Sequence, residues 1–417
     1  MRLTLEEALR LAQERQVQAI VGQERVQQAL TRISQAKSAL YPQFQGNVSQ
    51  YRRTFNLSTV GIDIPLPGFS PLVGPFNTMD ARIYLTQTLF DATVLSRLKE
   101  AKLGHYLSQA QSQQAKLDAM ALVANLFLEA QRAQNRIPWV KAQWLREQTR
   151  RNLAQTQKRI GLGSSVEVTQ ATASWEQAKA NLGAAETQAL ERRLDLAAAL
   201  GLPQDQPIRF VLEDRIDRLP VPKAGELQTL VASHPQVESA RRQVSQRTQE
   251  RKTEVAAFYP QLSANADYGA SGEDPSNVDD TYNFGGQLTI PIFQGGLRRA
   301  RVKEAESRIR ESQSQLTDTL NQQEAKAKQA LASMNQSLEV WRAADANLTL
   351  ARQQMNLAQS RLGSGLGSQL DVVDARADQA VALDQKADAV TTYYQAKVNL
   401  AYSSGTLFQW VEGATPQ

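Results

Sequence analysis

The feature that most limits how this chain can fold is an internal duplication. The hexapeptide ALYPQF at residues 39–44 recurs as AFYPQL at residues 257–262. The octapeptide GLGSSVEV at residues 161–168 recurs as GLGSQLDV at residues 365–372. Both pairs are about 200 residues apart and occur in the same order, so a unit of about 200 residues is expected to be built twice.

Each unit is predicted to contain a helix, two strands, a long helix, a tight turn and a last helix. In the first unit, residues 1–200, the helices are expected at 3–40, 92–160 and 165–200, and the strands at about 43–57 and 80–90. In the second unit, residues 226–403, the helices are expected at 226–258, 297–362 and 368–403, and the strands at 261–270 and 282–292. A linker at 201–225 and a C-terminal tail at 404–417 complete the chain.

Residues that interrupt or cap helices set several of these boundaries. Pro42 disfavours helix in the residue before it. Gly161 is expected to end the long helix, and either Ser164 or Ser165 to cap the next one. Pro138 lies inside the first long helix and should kink or interrupt it.

The long helices carry a narrow apolar stripe with alternating three- and four-residue spacing, as in Leu331, Met334, Leu338 and Trp341. Such a stripe is typical of a coiled coil. A helix of about 69 residues spans roughly 100 Å, which exceeds the size of a compact domain. The two shorter helices of a unit together match its long helix, so each chain is predicted to supply four helical rods.

The predicted strands alternate between apolar and polar residues. In residues 282–292, Phe284 and Leu288 share one parity, whereas Asn283 and Gln287 share the other. About ten residues with this pattern are typical of a transmembrane β-strand, although a half-buried soluble hairpin has the same pattern.

The first predicted strand departs from simple alternation. Phe44 and Val48 share one parity and Tyr51 has the other, which a bulge near residues 49–50 would reconcile. The loops that join the strand pairs are expected to face solvent and lie at about 56–78 and 271–281.

Four strands cannot close a barrel in lipid, because open sheet edges are not tolerated there. Two copies would give eight strands with a filled interior, and three would give twelve with an open bore. Three copies would also bring together twelve helical rods, so a hollow helical cylinder coaxial with a β-barrel is expected.

Composition excludes several other classes. Of the 417 residues, 41% are hydrophobic, which is too many for a disordered chain. The chain has no cysteine and only two histidines, so thiolate sites are excluded and a zinc site or a catalytic triad is not expected. The net charge of +5 is spread along the chain, so nucleic-acid binding is not expected. The N-terminus lacks an apolar signal segment, so any export signal is expected to have been removed.

Taken together, these motifs resemble the TolC-like outer-membrane efflux and export channels, also called outer membrane factors. The motifs that carry the resemblance are YPQ at 41–43 and 259–261, GL at 161–162, VEVTQA at 166–171, and LDVVDA at 370–375. The resemblance implies a mainly α fold with a membrane β-barrel. It implies a homotrimer whose shared twelve-stranded barrel in the outer-membrane lipid continues into a periplasmic helical barrel. The linker and the tail would form an equatorial region.

The resemblance also implies a passive function without cofactors. Such channels are the exit ducts of tripartite efflux or type I secretion systems and work with a periplasmic adaptor and an inner-membrane transporter. The helix–helix turns would form the periplasmic tip that docks the adaptor. The matching tip residues are Ile160, Gly161, Leu162, Ser165, Arg361, Leu362, Gly363, Gly365 and Ser368.

The same resemblance assigns Asp371 and Asp374 to a ring of carboxylates at the periplasmic gate, with Glu167 nearby. Six carboxylates in a trimer would raise each other's pKa and attract cations. Spacing alone allows another interpretation, in which these are acids that suit the first turn of a helix. Some family members close the tip with a basic residue near position 367, where this chain has Gly367, so a salt bridge of that type is not expected here.

Two other functions remain open at this level. A soluble periplasmic adaptor or coiled-coil scaffold would also contain long hairpins, although adaptors usually carry a single hairpin. An enzyme is not expected, since no acid–base or metal cluster is visible in the sequence.

Overall fold

A computed structural model of the protein describes residues 1–61, 70–211, 221–223 and 225–412. The chain divides into two compact units. The first contains residues 1–25, 108–241 and 315–417, and the second contains residues 26–107 and 242–314. The elements in chain order are β1 (Arg2–Thr4), α1 (Leu5–Arg15), α2 (Val17–Ser38), β2 (Gln43–Asn56), β3 (Leu72–Asp91), α3 (Ala92–Arg159), α4 (Ser165–Ala199), β4 (Arg209–Val211), α5 (Leu227–Ala232), α6 (Pro235–Ala256), β5 (Gln261–Asp274), β6 (Asn277–Thr289), α7 (Leu297–Gly363), α8 (Gln369–Ser403) and α9 (Leu407–Glu412).

The two long helices are present as predicted. α3 has 68 residues and α7 has 67. Pro138 lies inside α3 but does not interrupt it, which corrects part of the expectation for that residue. No helix in the described part of the chain is long and apolar enough to cross a membrane.

The first predicted helix, 3–40, is wrong as a single element. Residues 2–4 form a strand, and the helix breaks at Gln16, whose backbone is extended with φ −66° and ψ 133°. The Gln16 side-chain Oε1 accepts hydrogen bonds from the backbone N of Gln18 at 2.6 Å and of Ala19 at 3.2 Å. This side chain caps α2 in place of the usual Ser, Thr, Asp or Asn, so no sequence signal marked the break.

The helix predicted at 226–258 is also divided, into α5 and α6. Pro235 is the first residue of α6, where its missing N–H has no cost. The buried His234 accepts a hydrogen bond from Gln236 N at its Nδ1 (3.1 Å), and its Nε2 lies 3.1 Å from the Tyr402 carbonyl oxygen. These contacts fit a neutral ring with its proton on Nε2, and burial lowers the pKa of His234. Pro235 was the signal in the sequence that could have revealed this break.

Part of the predicted linker forms a β-strand. β4 pairs in parallel with β1, which joins residues 209–211 to residues 2–4. Beside this pair lies the main apolar core of the first unit, where the buried Phe127 ring meets Phe210 edge-on with centroids 5.4 Å apart. Other parts of the linker (212–220 and 224) and of the tail (413–417) lie outside the described residues.

The second unit contains a four-stranded antiparallel sheet with the order β2-β3-β5-β6. Directly paired residues share a face of a sheet. One row across the four strands is Phe44, Leu85, Ala266 and Phe284, and the next row is Gln45, Tyr84, Asp267 and Asn283. The sheet therefore has one largely apolar and one polar face, as the alternation predicts.

The strand boundaries differ from the prediction. β3 begins at Leu72 rather than near residue 80, and β5 and β6 run through most of the predicted loop 271–281 to a turn at residues 275–276. Asp274 stabilises that turn by accepting a hydrogen bond from Ser276 N at 2.9 Å. Residues 271–281 include several acidic residues, and these are compatible with strands because most of their side chains are exposed. Residues 62–69 of the other predicted loop lie outside the described residues.

Two further details of the sheet differ from the prediction. The irregularity in β2 lies between Arg53 and Phe55 and not near residues 49–50. β6 ends at Thr289 instead of Ile292, since Pro291 has no N–H to donate to a neighbouring strand.

Candidate functional site

The two predicted tip turns, which join α3 to α4 and α7 to α8, have the same backbone conformation. Gly161 and Gly365 adopt φ values of 80° and 74°, which favour glycine. In the first turn Leu162 N donates to the Gln157 carbonyl at 2.8 Å, and in the second Leu366 N donates to the Arg361 carbonyl at 2.9 Å. These bonds define a Schellman ending for both long helices.

The turn also explains the glycine at position 367. A Cβ atom there would lie 3.0 Å from the Arg361 Cβ and 3.1 Å from Leu362 N, closer than ordinary contacts. Gly163 has equivalent close neighbours in the first turn. A basic side chain at position 367 would therefore crowd this backbone.

Both turns end in a capping box, which caps the following helix. Glu167 N donates to Ser164 Oγ at 3.1 Å, and Ser164 N donates to the Glu167 carboxylate at 2.8 Å. Ser368 and Asp371 make the same pair of bonds, at 3.1 and 2.7 Å. Ser164, rather than Ser165, is thus the cap of α4.

The capping box favours the ionised form of Asp371 within one chain. The hydrogen bonds from Ser368 lower the pKa of the Asp371 carboxyl below its usual value. This contrasts with the raised pKa expected for six converging carboxylates. The capping geometry of Glu167 and Asp371 supports a role at a helix start, and it leaves both carboxylates exposed.

Asp374 has a different environment from Asp371. Its Oδ1 accepts a hydrogen bond from Arg150 Nη2 on α3 at 2.7 Å, and this bond raises the pKa of Arg150. One turn further along α8, Arg146 and Asp378 lie 3.7 Å apart. The two predicted gate residues therefore have different partners, because Asp371 caps its own helix whereas Asp374 links two helices.

This pairing continues along the same two helices. Arg132 contacts Asp384 at 2.7 Å and Asp388 at 3.0 Å, and Arg136 lies 3.7 Å from Asp384. This series of arginine–aspartate pairs was not predicted from the sequence. The acids of α8 were visible in the sequence, but their partners depend on the register of two antiparallel helices distant in the chain.

Apolar side chains at both turns are unusually exposed. Leu162 and Leu366 are 80% and 82% exposed, and Val166 is 73% exposed. Leu366 and Val166 were not among the predicted tip residues, although Leu366 stands in the repeated Gly-Leu-Gly-Ser motif. Of the predicted tip residues, Leu362 is half-buried and the following are exposed: Ile160, Gly161, Leu162, Ser165, Arg361, Gly363, Gly365 and Ser368.

Comparison with solved structures shows that this fold is shared with outer-membrane channels. The CmeC outer membrane channel of Campylobacter jejuni superposes with a TM-score of 0.79 and 18% identity, over 96% of this chain and 85% of CmeC. The outer membrane protein VceC of Vibrio cholerae gives a TM-score of 0.73 and 18% identity, over 96% of each chain. The chain thus has the fold of the TolC-like channels, whose structures combine a helical barrel with a β-barrel.

The chain belongs to the outer membrane efflux protein family, whose model matches residues 8–202 and 227–406. The alkaline protease secretion protein AprF of Pseudomonas aeruginosa is 24% identical over an alignment of 362 residues that covers 82% of this chain and 74% of AprF. The predicted family and fold class are confirmed. Family membership makes this chain an outer-membrane exit channel and not an enzyme.

Proposed function

We propose that three copies of this chain form the exit duct of a tripartite efflux or type I secretion system. The observation that carries the proposal is the four-stranded sheet. Among the described strands, β2 and β6 are each paired on one side only. Unpaired edges are not tolerated in lipid, so β6 of one copy is expected to pair with β2 of the next until the barrel closes.

The exposed apolar side chains of the sheet support this assembly. Phe44 and Val48 on β2 are each 72% exposed, and Phe284 on β6 is 78% exposed. These residues are directed to the same face as Leu85 and Ala266. A closed twelve-stranded barrel would turn this face to lipid and the polar face to a water-filled bore.

The helix–helix turns are proposed to dock a periplasmic adaptor, which in turn contacts an inner-membrane transporter. Exposed leucines at equivalent positions of both turns, Leu162 and Leu366, supply apolar anchors for such a contact. The other predicted tip residues lie in or next to the same two turns. A soluble adaptor or scaffold is less compatible with membership in a family of outer-membrane channels.

Asp371 and Asp374 are proposed to narrow the periplasmic gate and to make it selective for cations. The Arg150–Asp374 pair supplies a contact between α3 and α8 in a chain whose position 367 is glycine. Opening the gate would break this pair and release Asp374 to attract cations. The name of AprF gives a secreted protein as one class of cargo. Drugs and metals are the other classes of cargo that the family resemblance implies.

Light scattering of the purified full chain tests the assembly. A detergent-bound trimer is expected, because four amphipathic strands cannot close alone. A stable monomer that needs no detergent would contradict the proposed function.

A further inference from the structure

A cleft of about 280 Å³ lies in the second unit where the last strand gives way to α7. We call it the junction cleft. Its walls combine apolar side chains with two arginines. The lining residues that matter here are Phe258, Ile292, Phe293, Leu297, Arg298 and Arg299.

The apolar side chains of the junction cleft are highly exposed. Ile292 is 92% exposed and Phe293 is 84% exposed. They continue an exposed apolar series that begins on β6 with Phe284 and Leu288. Because burial of such side chains is favourable by roughly 25 cal/mol per Å², an apolar molecule is expected to cover them.

The charged part of the junction cleft contains no acidic residue. Arg298 Nε donates to Gln294 Oε1 at 3.0 Å, and its guanidinium lies 5.8 Å from the centre of the Phe258 ring. The Nη1 of Arg298 is buried and has no hydrogen-bond partner among the described residues. Arg299 beside it is exposed. Two arginine side chains, one half-buried with an unpartnered Nη1 and one exposed, therefore lie at the edge of an apolar surface.

We propose that the junction cleft binds an anionic phospholipid, with its phosphate on Arg298 and Arg299 and its acyl chains against Ile292 and Phe293. The inference rests on the proposed insertion of the sheet into the outer membrane. From β6 to α7 the chain passes from apolar strand residues through exposed Ile and Phe to arginine. This order matches the change from acyl chain to headgroup to water along a membrane normal, where aromatic and basic residues concentrate.

The corresponding junction of the first unit lacks this chemistry. There the Asp91 carboxylate accepts hydrogen bonds from Thr93 N at 2.7 Å and from Val94 N at 3.4 Å, which caps the start of α3. A carboxylate in that place repels a phosphate. The proposal therefore assigns one lipid to each chain, at the second junction.

Native mass spectrometry of the detergent-solubilised protein with added lipid tests this. Phosphatidylglycerol should be retained at one molecule per chain, and phosphatidylcholine with the same acyl chains should be retained less. The double variant R298Q/R299Q should lose phosphatidylglycerol affinity by about thirtyfold, which corresponds to about 1 kcal/mol for each arginine. The control R308Q/R310Q makes the same charge change further along α7 and should bind as the parent protein does.

Three results would overturn the inference. Equal lipid retention by R298Q/R299Q would show that the arginines do not hold the headgroup. Displacement of phosphatidylglycerol by millimolar inorganic phosphate would show a site for a free anion. A photo-crosslinker at position 292 that labels only a neighbouring copy would show that the junction cleft is a subunit interface. Each of these results can occur in an intact trimer, whereas failure to form a detergent-dependent trimer would instead contradict the proposed function.

Discussion

Arg150 on α3 and Asp374 on α8 are joined by a 2.7 Å hydrogen bond, although 224 residues separate them in the chain. Both side chains are partly exposed, at 43% and 32%. Their pair therefore adds at most about 1 kcal/mol to folding stability. A contact that is weak for stability can still bias a gate between two arrangements of its helices.

Replacing Arg150 with Gln should make the channel leak. The proposed closed gate would lose a helix–helix contact, while the melting temperature should change little because the pair is partly exposed. Conductance in planar bilayers measures the effect. R342Q is the matched control, since Arg342 pairs with Glu339 within α7 alone. Equal conductance of R150Q and R342Q would show that the pair does not control opening.

Replacing Asp371 and Asp374 with Asn should weaken cation selectivity and block by a hexaammine or lanthanide ion. Single-channel recording of D371N/D374N measures both. We also expect a modest loss of folding stability in this variant, because Asp371 belongs to a capping box and Asp374 pairs with Arg150. Lower stability with unchanged selectivity and unchanged block would indicate first-turn acids that do not line the gate.

Single cysteines should report the two faces of the sheet, and the natural chain contains none to interfere. Cysteines at Asn265 and Gln287 should react with membrane-impermeant thiol reagents, because these positions lie on the polar face. Cysteines at Ala266 and Leu288 should react poorly in proteoliposomes. The reverse labelling pattern would mean that the faces are assigned to the wrong sides of the barrel.

Exposed leucines at the turns should matter for adaptor docking rather than for folding. Replacing Leu162 and Leu366 with Ser should reduce crosslinking to the adaptor by at least tenfold and leave the trimer intact. Leu350, an exposed leucine on α7, provides the control variant L350S. If L162S/L366S crosslinks as well as L350S does, the turns are not the docking surface.

Acid should destabilise the first unit through His234. Burial lowers the pKa of this histidine in the folded chain, so the unfolded chain binds more protons as the pH falls below about 6.5. The stability contributed by the neutral ring is therefore present at neutral pH and lost on acidification. Melting temperatures from pH 7.5 to 5.5 should fall less steeply for H234N than for the parent protein. A parallel fall in both proteins would contradict this role, and H105N serves as the control.

Local sequence signals predicted the elements and the turns well. Gly161, Gly365 and the serines after them have fixed conformational preferences, so both turns and their caps could be located. Parity placed Phe284 and Asn283 on opposite faces for the same reason. The break at Gln16 has no usual capping residue to mark it, whereas the break before α6 is marked by Pro235.

Contacts between residues far apart in the chain could not be predicted from the sequence. The partners of Asp374 and Asp384 depend on how α3 and α8 align, which no local pattern specifies. The same holds for the pairing of β1 with β4, since a three-residue strand carries no periodicity. The function of Gly367 became clear only from the close approach of the Arg361 and Leu362 backbone.

The duplicated turns have a consequence for symmetry. Three copies would present six turns of equal backbone shape, so a threefold channel would offer near-sixfold contacts to its partner. The equivalence is incomplete, because Glu167 in one turn corresponds to the shorter Asp371 in the other. A ring of six identical partner segments would thus meet two alternating surfaces, and neighbouring segments would bind with unequal strength.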